Sequence, residues 1–267
     1  MIRATGSGRT SYFFDRLAVA ILLVLVAVLA WALTVHQAHL MQDTDAAMRR
    51  DMAMSINDMK PTWTMVDGAL LFVMWAVMMA AMMVPGTGPM IAAFATVNRR
   101  RRQRAAPHIP TAIFLLGYLA IWSGFALIAT MLQWLLQSWG LLTTMMQSSS
   151  DYLSAALFIA AGLYQFSPFK QTCLDYCRSP ESFVLTEWRD GAAGAVVMGM
   201  RHGLFCMGCC VGLMVLLFAV AVMDLRWVAA LTVLVTAEKL LPGGKLLQIA
   251  IGIALMLAGA GFALAAR

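Results

Sequence analysis

Long apolar runs separated by short polar breaks organise this chain. A helix that crosses a bilayer needs about 20 mostly apolar residues, and seven stretches answer to that description in whole or in part. The first covers residues 17–35, LAVAILLVLVAVLAWALTV, behind Arg3, Arg9 and Arg16. It outruns the roughly 7–15 apolar residues of a secretory signal core, and no A-x-A cleavage pattern follows it, so it is expected to stay as an anchor. A polar stretch, 36–67, comes next. Further spans are expected at 68–85, 111–137 and 152–169. A fifth block, 191–223, is interrupted by Arg201 and His202, so its membrane part is expected from about Gly203. The sixth, 227–241, is short, and the seventh is 246–265. The pattern predicts an all-α polytopic membrane bundle of seven transmembrane helices, or six if the short segment does not cross.

Composition removes the competing classes. Hydrophobic residues make up 61% of the 267 and charged residues only 12%, against about 25% charged in soluble domains. Thirteen acidic and 19 basic side chains cannot supply the polar skin of a water-soluble enzyme. A disordered chain and a disulfide-stapled secreted module are excluded on the same ground. The net charge of +6 reads mainly as topology. With the N-terminus cytoplasmic, most lysines and arginines fall on the inner side, as the positive-inside rule requires. The run RRRRQR at 99–104 is then a membrane-flanking basic segment, and no nucleic acid partner is expected. We expect one membrane domain over 1–267, with an N-terminal anchor helix and a Met/His-rich outer loop in 1–67 and a metal-binding-like helical core in 68–267.

The densest chemistry is RHGLFCMGCCVGLM, from Arg201 to Met214. On a helix, residues three and four apart share a face. Met198, His202, Cys206, Cys210 and Met214 form an i, i+4 ladder, with Cys209 on the same side. Thiolate, thioether and imidazole are the ligands that soft ions such as Cu(I) prefer; zinc also accepts cysteine and histidine. The competing expectation is that cysteine packs as a small hydrophobe. Three cysteines within five residues favour metal or thiol chemistry.

Methionine is the second signal, with 22 in the chain. In MWAVMMAAMMVPGTGPM, Met74, Met78 and Met82 step by four, and Met79 and Met83 form a parallel row. Such a stripe ordinarily packs. At about 1.5 Å rise per residue, however, Met83 and Cys210 reach similar depth from opposite membrane faces, so the row can lead to the cysteines. The outer stretch adds His36, His39, Met48 and Met52 as a candidate capture surface, or else an interfacial amphipathic helix. Cys173 and Cys177, four apart in an inner loop, suit a ligand pair or a hand-off point, or are ordinary free thiols. Glu238 is read as an intramembrane charge; either it and Lys239 snorkel to the headgroups, or Glu238 points into the bundle, where Arg201, His202 or Lys239 is the expected partner.

The ordered set MWAVMMAAMMVPGTGPM, YQFSPFKQTCLDYCRSP, GMRHGLFCMGCCVGLMVLLFAVAVMDLRW and TAEKLLPGGK resembles a bacterial domain-of-unknown-function family described as predicted metal-binding integral membrane proteins, some of them labelled copper chaperone. The resemblance covers about residues 70 to 262. It implies a metal-binding role for Met78, Met82, Met83, Cys173, Cys177, His202, Cys206, Cys209, Cys210 and Glu238, and a place in the bacterial inner (cytoplasmic) membrane. Where the family often has asparagine, this chain has Asp224. The expected function is therefore binding of a soft ion, Cu(I) as the cofactor or cargo, for transport or for delivery to a soluble copper acceptor or a membrane oxidase complex. Two alternatives stand beside it: a thiol–disulfide oxidoreductase using the C-x-x-C pair Cys206 and Cys209, and a non-catalytic subunit for membrane-complex assembly. The chain carries no phosphate-binding loop, and enzymatic activity is the less favoured expectation.

Overall fold

A computed structural model describes residues 7–52, 64–102, 110–142, 150–220, 222, 224–241 and 244–266. Among them the structure is all helical, with no strand. The helices are α1 (Ser7–Met52), α2 (Met65–Met83), α3 (Gly88–Arg102), α4 (Thr111–Ser138), α5 (Asp151–Gln165), α6 (Pro168–Arg178), α7 (Pro180–Thr186), α8 (Gly191–Met214), α9 (Leu217–Val220), α10 (Leu225–Leu240) and α11 (Gly244–Ala265). Five segments are long and apolar enough to cross a membrane: Ala20–Leu40, Met65–Met83, Thr111–Ser138, Gly191–Val220 and Lys245–Ala265. The pair α5 and α6, bent by 62° at its break, makes a sixth if it counts as one span. The molecule is a multi-pass membrane protein. α10, with 16 residues, is shorter than these spans, in keeping with its short apolar run.

Local chemistry sets the element ends. Thr64 opens α2 with a capping box: its hydroxyl accepts from Asp67 N, and Asp67 Oδ2 accepts from Thr64 N at 2.9 Å. This arrangement satisfies two backbone donors that a helix start leaves orphaned. α2 ends at Val84, and Pro85, lacking an N–H, forces a 3₁₀ turn over Pro85–Thr87 before α3 begins. Asp224 has a structural role. It caps α10, accepting from Arg226 N at 2.9 Å.

Two features depart from the hydropathy pattern. α1 runs unbroken to Met52, so His36 and His39 continue the anchor helix and do not sit in a loop. α8 is continuous from Gly191, through Arg201 and His202. Arg201 is tolerated because its guanidinium is paired with the Glu187 carboxylate, and His202 lies buried among aromatic rings. Arg101 of the basic run is also engaged: it pairs with Asp190 at 3.0 Å and lies over the Trp188 ring, tying α3 to the start of α8.

The core lies between α2, α4 and α8, with α6 and α10 closing it. α4 and α8 approach closely because Gly117 and Gly199 lack side chains; a Cβ on Gly199 would stand 2.1 Å from Phe114 O. Small residues serve membrane helix contacts in this way. α1 and α11 present mostly exposed apolar faces, such as Leu25, Leu29, Leu257 and Leu264, suited to lipid. Trp75 Nε1, deep in the core, donates to Gln133 Oε1 at 2.7 Å, so a polar tip on a membrane-buried ring is satisfied.

Candidate metal centre

α8 supplies three thiols on one face. Cys209 Sγ and Cys210 Sγ both donate back to the Cys206 carbonyl, at 3.0 and 2.8 Å, as cysteines three and four residues on are able to do in a helix. Two other elements bring sulfur to them. Cys177 Sγ of α6 stands 3.9 Å from Cys209 Sγ, and Met83 Sδ of α2 stands 3.9 Å from Cys210 Sγ. Cys173 packs over Gly208, where a Cβ would come within 2.7 Å of its sulfur. All five cysteines are free thiols and all are buried.

Cys206 has partners from two further helices. Lys239 Nζ of α10 donates to its sulfur at 3.1 Å, and Tyr118 Oη of α4 lies 3.1 Å from the same atom. Lys239 is buried and passes beside Gly86 in the 3₁₀ turn, its Cδ 3.3 Å from where a Cβ would lie. A cation thus sits against the thiol cluster. Neither Lys239 nor Tyr118 stands out in the sequence as a site residue; Lys239 carries only the signal of an ionisable group within a hydrophobic segment.

The position of α6 explains how Cys177 arrives. The chain bends after Gln165, Ser167 caps the new helix by accepting from Phe169 N, and Pro168 takes its first turn. Lys170, Cys173, Leu174 and Cys177, spaced along one face, are all buried. Lys170 Nζ pairs with Glu238 Oε2 at 2.7 Å, and the Arg178 guanidinium donates to the Glu238 backbone carbonyl. Glu238 therefore does not take Arg201, His202 or Lys239 as its partner. The bend between α5 and α6 returns Lys170 to it from far along the chain, while Arg201 is held by Glu187.

The remaining candidates are spread more widely. His202 is buried in the ring cluster of Phe114, Tyr118 and Phe183, 5.5 Å centroid to centroid from Tyr118, and its Nδ1 has no hydrogen-bond partner. Met198 is buried one turn away, its sulfur accepting from Arg189 N at 3.3 Å. Met74, Met78, Met79, Met82 and Met214 are buried in the same core. His36 and His39 are exposed on α1. The side chains of Met48 and Met52 lie outside the described residues.

The donor set is soft and drawn from three helices. Two sulfurs that each bind one ion at about 2.3 Å stand at most about 4.6 Å apart, so both 3.9 Å contacts lie within bridging reach. Among the described residues, no three histidine, cysteine, aspartate or glutamate side chains are already arranged as a closed ligand set. The thiols of Cys209 and Cys210 are instead hydrogen-bonded to the Cys206 carbonyl, and an ion held there would have to take the place of those hydrogens.

Comparison with known proteins adds the family. A family model described as a copper chaperone, PpoB2, matches residues 72–262. The chain belongs to the PpoB2 copper-chaperone family. No curated protein and no solved structure matches it. The matched region begins within α2 and ends within α11. It therefore takes in every residue of the sulfur cluster in this PpoB2-family chain, together with Tyr118, Lys170, Glu238 and Lys239, and leaves out α1.

Proposed function

We propose that this PpoB2-family protein binds Cu(I) within the membrane and delivers it to a partner. The observation that carries the proposal is the meeting of Cys177, Cys206, Cys209 and Cys210 with Met83 in one buried cluster. Sulfur-rich, water-poor ligation favours a monovalent soft ion over zinc. In this proposal copper is cargo. His36, His39, Met48 and Met52 collect it on the outer side, and Met74, Met78 and Met82 are weak thioether stations leading to Met83. Similar weak sites let an ion advance without a deep trap. Met198, Met214 and His202 border the centre. Cys173 stands beside the hand-off at α6. The bacterial inner membrane, where the potential contributes about 2.3 kcal/mol per charge at 100 mV, supplies a driving force. The acceptor is a soluble copper protein or a membrane oxidase complex.

The deciding experiment is a Cu(I) titration of the reduced, purified protein against a competing chelator. The double variant C206S/C210S is expected to lose at least a hundredfold in affinity, and wild type to hold copper in a fixed ratio by elemental analysis. Unchanged binding in the double variant overturns the proposal. One contact favours a second reading: Cys177 Sγ faces Cys209 Sγ at 3.9 Å, so a dithiol–disulfide couple built on Cys206 and Cys209 has Cys177 beside it as a further partner. A stable two-electron potential, measured without metal and abolished by C209S, would select that chemistry.

A further inference from the structure

Among the described residues the buried charged side chains are Lys170, Glu238 and Lys239. Lys170 and Glu238 pair at 2.7 Å and cancel. The Arg178 guanidinium, which holds the Glu238 backbone carbonyl, adds to the positive side. Lys239 pairs with no carboxylate among the described residues, and its ammonium donates to Cys206 Sγ at 3.1 Å. An uncompensated cation in a buried core is costly. The counter-charge within its reach is the thiol cluster itself.

The stem that carries this charge is closely packed. A Cβ on Gly86 would stand 3.3 Å from Lys239 Cδ and 3.5 Å from its Nζ, so the 3₁₀ turn lies along the side chain up to the ammonium. An ion bound to Cys206 Sγ at about 2.3 Å stands no more than about 5.4 Å from that ammonium. Coulomb energy follows the product of the charges and is screened far less in a buried site than in water. With the same ligands, the ammonium therefore repels a divalent ion twice as strongly as a monovalent one.

Charge balance points the same way. Two thiolates, one monovalent ion and the ammonium sum to zero. A divalent ion in those ligands leaves one positive charge buried, unless a third thiol gives up its proton. Without the lysine the order reverses: two thiolates neutralise a divalent ion and leave a monovalent one with a surplus negative charge.

Taking the sulfur cluster as a Cu(I) site, we propose that Lys239 sets its selectivity for ion charge, admitting monovalent soft ions and opposing divalent ones. Softness of the ligands and charge of the ion are then separate filters, the first set by sulfur and the second by α10.

Titration of the full, reduced protein with Cu(I), Ag(I), Zn(II) and Cd(II) against competing chelators tests this in wild type, K239M and K239Q. Methionine keeps the bulk of the stem, and glutamine keeps an N–H donor without the charge. In both variants Cu(I) and Ag(I) are expected to weaken about tenfold, while Zn(II) and Cd(II) hold or tighten. The preference for monovalent ions thus falls at least about tenfold. Equal weakening of all four ions overturns the proposal, because Lys239 then only supports the site's structure. A wild-type preference in K239Q overturns it by assigning selectivity to the hydrogen bond. Cd(II) falling with Cu(I) and Ag(I) while Zn(II) holds overturns it in favour of softness. Absence of divalent binding from all three proteins also overturns it, since the ligands then do the excluding. Wild type that binds neither Cu(I) nor Ag(I) overturns the copper reading itself.

Discussion

At Cys206 one sulfur is shared by an ammonium and a phenol. Lys239 and Tyr118 each stand 3.1 Å from it, and charge-assisted hydrogen bonds are roughly twice as strong as neutral ones. Lys239 thus does more than Tyr118 to stabilise negative charge on the thiol when an ion is taken up. Lys239→Met is expected to weaken Cu(I) binding about tenfold, or about 1.4 kcal/mol, while Tyr118→Phe costs less. The chelator titration reads both; equal losses would contradict the ranking. Gly208 gives a steric test of the same neighbourhood. A Cβ there would stand 2.7 Å from Cys173 Sγ, so Gly208→Ala is expected to lower the melting temperature by several degrees. Removing the obstructing sulfur in G208A/C173A is expected to restore most of it. A Gly208→Ala protein as stable as wild type would mean that α6 adjusts freely.

At the scale of elements, α6 is the piece that turns a row of helical cysteines into a multi-helix cluster. Its attachment is the buried Lys170–Glu238 pair plus the Arg178 contact with the Glu238 carbonyl. Breaking a buried pair by removing one partner costs roughly 3–5 kcal/mol, whereas replacing both with apolar residues is often neutral. Lys170→Met alone is expected to destabilise by that amount and to weaken copper binding through Cys177. K170M/E238L is expected to recover much of the stability, as denaturant unfolding in detergent would register. The helices themselves are legible in the sequence because an apolar run of membrane length permits little else. The Met83–Cys210 meeting is legible too, since helical rise sets depth. The Glu238 partner is not. Lys170 lies 68 residues away, and only the 62° bend between α5 and α6 brings it there. Ser167 and Pro168 mark a new helix start just after Gln165 and Phe166, but no linear pattern gives the angle at which the span folds back. Tyr118 likewise sits among ordinary apolar residues of α4, with no local sign that its hydroxyl ends at a thiol.

For the whole molecule, enclosure is the governing property. Cys206, Cys209 and Cys210 are at most 1% exposed, and Cys173 and Cys177 are covered by α6's own packing against α8. In the native protein, a water-soluble maleimide is expected to label the five thiols far more slowly than it does after denaturation, and Cu(I) is expected to slow labelling further. Rapid labelling of Cys206 in the native state would mean that the core opens far more readily than its packing implies.

Met83 is made long before its neighbour Cys210, 127 residues later, and Lys239 follows Cys206 by another 33. During synthesis the thiols of α8 therefore enter the membrane before α10 exists to cover them. A chain halted ahead of residue 238 would hold all five cysteines, but with no Lys239 beside Cys206 and no Glu238 to hold α6. The centre is complete only once α10 has been inserted, so an intact cluster certifies that synthesis and insertion have passed Lys239.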